Sequence, residues 1–245
     1  MTNPAREIGR VEALFRYPVK SMAGERLDVA TMGWHGIEGD RRLALRRTRE
    51  RGGFPWLTAG KLPALLLYGP ARNDGSEDGL PTHVRTPEGR ELSIFDPELA
   101  EDIERRHGAP VEMMHMRAGV FDDACISVIA TGTVNEIERI AGTPPDIRRF
   151  RPNIVLNLPE PDPFQEDNWV GGILSFGEPG EGPRVSVTAR DVRCAMINLH
   201  PDTADVAPEV LKAVVRRNDN NAGVYGTVVR TGRLEVGQIV RFQAG

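Results

Sequence analysis

Short alternating segments, separated by glycine and proline, constrain the fold of this chain more than any other feature of its sequence. In the first of them, residues 8–16, the alternation predicts Val11, Ala13 and Phe15 on one side of a half-buried strand. Further strands are predicted over residues 26–32, 42–47, 65–69, 83–86 and 91–94. Several short strands at this spacing are typical of a small β-barrel or sandwich.

The second half of the sequence adds a few helices to further strands. The patterns predict helices over residues 97–107, 134–141 and 209–217, and strands over residues 125–130, 154–158, 184–187 and 194–198. Thr131-Gly-Thr133 is expected to cap the second helix, and Val210, Leu211, Val214 and Val215 to face inward on the third. Residues 224–229 and 239–242 are predicted to form a closing hairpin. We therefore expect a mainly β, α+β protein with two domains, residues 1–110 and 111–245.

Composition excludes several classes of protein. The net charge of −4 gives no general attraction to nucleic acid, and no run of about 20 apolar residues is present to cross a bilayer. The N-terminus lacks the apolar segment of a secretory signal, so we expect a cytoplasmic protein without membrane contact. With only Cys125 and Cys194, neither a disulfide framework nor a four-thiolate zinc or iron–sulfur site is expected. The polar segment 73–81 is predicted to be an exposed loop.

Two segments place basic side chains next to predicted strands in the first half of the chain. In Tyr17-Pro-Val-Lys-Ser21, Lys20 and Ser21 follow a strand directly, and both can donate hydrogen bonds to an anion. In Gly39-Asp-Arg-Arg42, one arginine is suited to a phosphate, but the sequence leaves open whether Arg41 or Arg42 faces the site. Each segment taken alone is more often a solvated surface turn.

Two further segments lie in the second half. Arg148-Arg-Phe-Arg-Pro-Asn-Ile-Val155 precedes an apolar strand; Arg151 is suited to a phosphate or a pterin edge, and Asn153 can both donate and accept, although a plain charged strand edge is an equal alternative. In Arg193-Cys194, a neighbouring guanidinium favours the thiolate, which is a soft metal ligand. The alternative for Cys194 is a buried structural cysteine, an interpretation that fits Cys125 better.

Taken together and in this order, these segments resemble the MOSC family, including the N-terminal β-barrel module found in the mitochondrial amidoxime-reducing component and its bacterial relatives. The resemblance covers nearly the whole chain. It rests on Tyr17-Pro-Val-Lys-Ser21, Gly39-Asp-Arg41, Phe150-Arg-Pro-Asn-Ile-Val155, Glu166-Asp-Asn-Trp169, Arg193-Cys194 with Asp202-Thr203, and Gly223-Val-Tyr225. It implies a small N-terminal β-barrel or sandwich module followed by a MOSC β-barrel with a few peripheral helices.

The resemblance also implies a cofactor and a set of roles. Cys194 would ligate the molybdenum of a molybdopterin cofactor and act as the catalytic cysteine. The residues implied to bind the pterin, its phosphate or their surroundings are Lys20, Ser21, Arg41, Thr131, Thr133, Arg151, Asn153 and Arg193. The implied activity is reduction of N-hydroxylated small molecules, with electrons from a separate reductase or iron–sulfur protein. Two alternatives remain: a module that carries the cofactor or moves sulfur without turnover, and a β-barrel binding protein without metal.

Overall fold

The computed structural model describes residues 4–72, 79–160 and 162–245. Most of the predicted exposed loop, residues 73–78, lies outside the described residues. The strands are β1 Arg6–Arg16, β2 Glu25–Leu27, β3 Val29–Gly33, β4 Gly36–Ile37, β5 Leu43–Arg47, β6 Gly69–Ala71, β7 His83–Arg85, β8 Glu91–Ser93, β9 Val111–His115, β10 Ile126–Ala130, β11 Ile154–Asn157, β12 Ile173–Phe176, β13 Arg184–Val192, β14 Asn221–Arg230, β15 Gly232–Glu235 and β16 Ile239–Gln243. The α-helices are α1 Pro97–His107, α2 Thr131–Ala141 and α3 Glu209–Asn218, and short 3-10 helices cover Pro63–Leu67, Ile147–Phe150, Gln165–Trp169 and Ala195–Asn198.

Seven strands close a barrel in the order β1, β11, β10, β14, β13, β12 and β16. The long first strand closes it, because β1 pairs antiparallel with β16 on one side and with β11 on the other. β10 and β11 are parallel neighbours, and α2 makes the crossover between them. The mainly β fold with a barrel and a few helices is therefore confirmed. The domain boundary near residue 110 stays a prediction, and β1, from the N-terminal end, lies within this barrel.

The second half of β1 is buried on both faces, as are β10 and most of β11. Val11 and Leu14 pack in the barrel interior, whereas Ala13 and Phe15 pack outward against α2 and α3. The pairing of β1 with β11 shifts register between Val11 and Ala13, and a bulge of this kind moves the following side chains to the opposite face. The prediction that Val11, Ala13 and Phe15 share one side was therefore wrong.

A second hydrophobic core lies among the smaller N-terminal elements, β5 to β9 and α1. The prediction for α1 is confirmed in its bounds: Asp96 accepts a hydrogen bond from the Glu98 amide at the N-terminus, and Gly108 ends the helix with a left-handed φ of 79°. The strand predicted over residues 65–69 was wrong, since Pro63–Leu67 is a 3-10 helix and strand β6 begins only at Gly69. Apolar runs this short do not distinguish the two.

Three other predictions for the second half were wrong. β14 pairs with β10 and β13 while β16 pairs with β12 and β1, so the two do not form a hairpin. The segment after Cys194 is the 3-10 helix Ala195–Asn198 and not a strand. Val215 is 49% exposed, because α3 buries only Val210, Ala213 and Val214 against the barrel. Among the described residues, no helix combines the length and hydrophobicity needed to cross a bilayer.

Candidate functional site

A cavity of about 450 Å³ opens beside the end of the barrel, where segments distant in sequence meet. The segment after β1, the end of β13, the turn before β5, the loop before β10 and the segment 149–151 all contribute to its wall. Five basic residues line it: Lys20, Arg41, Arg149, Arg151 and Arg193. Asp122 and Asp191 are the acidic side chains in the same lining, so cations outnumber anions by five to two.

Three residues of the cavity lining have an unusual backbone conformation. Ser21, Arg41 and Arg151 all have left-handed backbone conformations, with φ values of 68°, 52° and 49°. Such conformations are uncommon for residues with a side chain and persist where the surrounding structure holds them, often at functional sites. Three of the predicted site residues therefore lie in unusual local structure, at three different turns that meet at one cavity.

Tyr17 forms a platform between two of the arginines. The Arg151 guanidinium lies 4.1 Å from the centre of the Tyr17 ring, and the Arg41 guanidinium lies 4.9 Å from it. Arg151 donates to the Met22 carbonyl at 2.7 Å, and Arg41 donates to the Arg151 carbonyl at 3.1 Å. These contacts hold both guanidinium groups at the cavity wall.

Asp40 holds Tyr17 and Arg41 in these positions. Its carboxylate accepts from the Tyr17 amide at 2.7 Å and from Asn153 Nδ2 at 3.0 Å, and it forms an ion pair with Arg41. Arg42 points elsewhere and donates to the Met116 carbonyl at 2.7 Å. Of the two adjacent arginines, it is therefore Arg41 that reaches the cavity.

Lys20 reaches the cavity from the segment that follows β1. Its ammonium group lies 2.7 Å from Asp122 Oδ1 and donates to the Val120 carbonyl at 3.1 Å. Burial lowers the pKa of Lys20, and Asp122 acts in the opposite direction. The pKa of Asp122 lies below its ordinary value because, although burial raises it, Lys20 holds the carboxylate ionised. The Lys20 charge is thus buried but paired at the cavity edge.

Burial shifts the pKa values of Arg151 and Tyr17, whose side chains are stacked on each other. The pKa of Arg151 is lowered to about 10, because burial disfavours its cation and the nearby Arg41 acts in the same direction. Burial also raises the pKa of Tyr17 to about 12. Nη2 of Arg151 is buried and has no hydrogen-bond partner within the described part of the chain. A guanidinium in this situation is stabilised by an anion placed in the cavity.

Cys194 presents an exposed thiol to this cavity. It lies between the end of β13 and the 3-10 helix Ala195–Asn198. The adjacent Arg193 is buried, and its guanidinium donates to the Ala222 carbonyl at 2.7 Å and to the Phe150 carbonyl at 2.8 Å and pairs with Asp191 at 2.8 Å. Arg193 therefore anchors the loop that carries the thiol.

Three predicted site residues lie outside the cavity lining, and their proposed roles stay predictions. Asn153 is buried, donates to the Phe15 carbonyl and Asp40, and accepts from the Ser127 amide, so it joins β1, the turn before β5 and β10. Thr131 donates to the Leu156 carbonyl at 3.3 Å, and Thr133 donates to Glu166 Oε2 at 2.9 Å. The expected threonine cap on α2 was wrong, because no side chain caps that helix at Ala130.

The side chain that contacts the start of α2 is Glu166, which lies in the 3-10 helix Gln165–Trp169. Its carboxylate accepts from the Ala130 amide at 3.2 Å and from Thr133, and the side chain is fully buried. Burial raises the pKa of Glu166 to about 7, although these hydrogen bonds oppose the shift. The folded protein therefore binds this proton more tightly than the unfolded chain does.

The sign of this shift predicts a loss of stability as pH rises. Below the ordinary pKa of a glutamate, protonated Glu166 does not reduce the free energy of unfolding. As the pH rises from there through about 7, the free energy of unfolding falls by about 3 kcal/mol in total, because the buried side chain must ionise. We expect the free energy of unfolding of the wild type to fall more steeply between pH 5 and pH 8 than that of Glu166→Gln. Urea denaturation at several pH values measures both, and parallel curves would contradict the assignment.

Sequence reasoning missed Asp122, Ser127 and Asp191 as parts of the cavity wall. None of the three lies in a segment that its own sequence marks as a site. Tyr225 was noted only as part of the family resemblance, and it also lines the cavity. Ser127, Asp191 and Tyr225 come together only when the barrel closes, because closure places β10, β13 and β14 side by side.

A second group of potential metal ligands lies elsewhere. Ligand atoms of Asp146, His200 and Asp202 all lie within 4.8 Å of one another. Arg148 donates to both carboxylates, at 2.7 Å to Asp146 and 2.5 Å to Asp202, so one guanidinium already occupies the position between them. We assign no metal to this cluster.

Comparison with known proteins gives the family. The model of the MOSC N-terminal beta barrel domain matches residues 8–124, and that of the MOSC domain matches residues 104–241. No curated protein matches the chain.

Among solved structures, the YUAD protein from Bacillus subtilis is 15% identical, with a TM-score of 0.53 over 99% of this chain and 100% of that one, a likeness that concerns the fold alone. YiiM from Geobacillus stearothermophilus is 19% identical over 48% of this chain and 53% of its own, with a TM-score of 0.37. The two MOSC family models together match the chain from β1 to β16. The chain therefore belongs to the MOSC family, whose domains are associated with the molybdenum cofactor.

Proposed function

We propose that this protein is a molybdenum-cofactor-dependent oxidoreductase that reduces N-hydroxylated small molecules, with Cys194 as the protein ligand to the metal. One observation carries the proposal. An exposed thiol opens into the same cavity as Lys20, Arg41 and Arg151. A soft donor for the metal and donors for an anionic group are thus both available to one ligand.

The donor set fits a cofactor of this kind. The unpartnered Nη2 of Arg151 has hydrogen-bonding capacity left for a phosphate oxygen, and the excess of cations in the lining favours an anionic ligand. A cavity of about 450 Å³ is within the ordinary range for sites that bind small molecules. Lys20, Ser21, Arg41 and Arg151 would hold the anionic part, and Cys194 would hold the metal.

The protein's own contribution to the reaction is binding, orientation and electrostatics. When bound, the cofactor supplies the electron transfer for cleavage of an N–O bond. Val192 and Met196 add apolar surface to the cavity beside Cys194, which suits the organic part of a substrate. A separate electron-donor protein of the reductase or iron–sulfur class is part of this proposal.

Turnover of an amidoxime tests the proposal. Protein from a host that makes the cofactor is expected to reduce benzamidoxime to benzamidine with a reduced viologen dye as electron donor, and product is measured by chromatography. Protein from a host unable to make the cofactor serves as the control and is expected to be inactive. Stoichiometric molybdenum without any turnover of benzamidoxime or other N-hydroxylated compounds would contradict reduction and favour the carrier or sulfur-transfer alternative.

A further inference from the structure

Three polar side chains form a connected cluster in the cavity wall, on neighbouring strands of the barrel. Ser127 on β10 and Tyr225 on β14 are direct cross-strand partners, and Asp191 lies on β13, the strand on the other side of β14. Asp191 Oδ2 accepts from Ser127 Oγ at 3.1 Å, and the Tyr225 hydroxyl is hydrogen-bonded to the same carboxyl group. All three residues line the cavity that contains Cys194.

The position of Asp191 is unfavourable for a group that serves structure alone. Its side chain is 1% exposed, and burial of a carboxylate costs several kcal/mol unless it is fully paired. Its cationic partner Arg193 approaches it through Nη2 at 2.8 Å, but among the described residues that nitrogen makes no hydrogen bond, so the ion pair leaves the carboxylate incompletely hydrogen-bonded.

Four groups act on this carboxyl from the elements around it. Ser127 and Tyr225 are hydrogen-bonded to it, Arg193 pairs with it, and Asp122 acts on it through space. Burial raises its pKa to about 6, and Arg193 and the hydroxyls oppose that rise. An acid that gains and loses its proton near neutral pH is suited to proton transfer.

We infer that Asp191 is the proton donor of this site, with the hydroxyls of Ser127 and Tyr225 as its hydrogen-bonded relay. This inference rests on the proposed function. Reduction of an N-hydroxylated compound breaks the N–O bond, takes up two electrons and two protons, and yields the N–H compound and water. The electrons come from the electron-donor protein or a reduced dye. Asp191 gives up one proton, and solvent returns it through the half-buried Tyr225 hydroxyl.

A positioning role for Asp191 is the competing explanation. The carboxylate pairs with Arg193, which anchors the loop of Cys194, so loss of Asp191 would then displace the thiol and lower the metal content. Asp191→Asn separates the two explanations because asparagine keeps the size and an acceptor for Arg193 but cannot donate the acid proton.

The test compares wild type and Asp191→Asn, both loaded with cofactor, for molybdenum content and for benzamidoxime turnover across pH 5 to 8. A proton donor predicts equal molybdenum content, a kcat lowered by about a hundredfold or more, and loss of the wild-type decline in kcat above pH 6. Tyr225→Phe is expected to keep the pH dependence with a smaller loss of kcat, and it serves as the second variant where Asp191→Asn does not fold.

A readout without the cofactor completes the test. In cofactor-free protein, the 13C resonance of the Asp191 carboxyl, assigned as the signal missing from Asp191→Asn, is expected to titrate near pH 6. Titration near pH 4, or an Asn variant with wild-type kcat and pH profile, would overturn the inference and leave the proposed function standing. A molybdenum-loaded wild type that reduces no N-hydroxylated compound would overturn both.

Discussion

Replacement of Cys194 with alanine is expected to remove most of the molybdenum from protein made in a cofactor-producing host. In the proposed site the thiolate is the metal ligand, and the basic residues that line the cavity would hold only the anionic part of the cofactor. We expect at least a tenfold loss of retained metal; a tenfold weaker dissociation constant alone corresponds to about 1.4 kcal/mol of binding free energy. Elemental analysis of purified wild type and variant, at matched protein concentration, measures it.

The other cysteine gives a matched control. Cys125 packs against the barrel interior, where its thiol faces the Gly226 carbonyl at 3.8 Å, and it does not line the cavity. Burial raises the pKa of this thiol, which disfavours the thiolate form that metals bind. Cys125→Ala should therefore keep wild-type molybdenum content. Equal molybdenum in wild type and Cys194→Ala would show that the metal needs no ligand from Cys194.

Removal of the Asp40 carboxylate is expected to have the largest effect on stability. Asp40 is 1% exposed, and its loss in Asp40→Ala leaves the Tyr17 amide, the Asn153 amide group and the buried Arg41 without their partner. Loss of one partner of a buried ion pair costs about 3–5 kcal/mol, because the remaining charge is uncompensated. The same change frees the Arg41 side chain, so cofactor content should fall as well.

Urea denaturation of the cofactor-free proteins measures this effect separately from ligand binding. Asp40→Asn is the matched control, since it keeps the size of the side chain and an acceptor for the Tyr17 amide, and a smaller loss is expected. A change below about 1 kcal/mol in Asp40→Ala would contradict the central role of this carboxylate.

Local sequence signals predicted individual elements better than their pairing. The bounds of α1 were predictable because Asp96, Pro97 and Gly108 are strong end signals. β14 and β16 were also located correctly, but their pairing was not, since the closed barrel pairs β14 with β10 and β16 with β1, strands far away in sequence. The 3-10 helix after Cys194 was predicted as a strand because its apolar run is too short to show a period.

The cavity was predictable to the extent that its residues belong to compact motifs. Lys20, Ser21, Arg41, Arg151, Arg193 and Cys194 were all singled out from the sequence, and the fold brings them to one cavity. Asp122 and Asp191 have no such local signal, because their contacts with Lys20 and Ser127 span 102 and 64 residues. Only the folded chain brings Asp122 next to Lys20 and Asp191 next to Ser127.

Ligation of molybdenum by Cys194 is the central claim, and X-ray absorption at the molybdenum edge tests it most directly. The spectrum of the loaded wild type is compared with that of Cys194→Ser reconstituted with isolated cofactor. The wild type should show one more sulfur ligand than the pair that the dithiolene supplies, and the serine variant should lack it. The same number of sulfur ligands in both proteins would contradict the assignment of Cys194 to the metal.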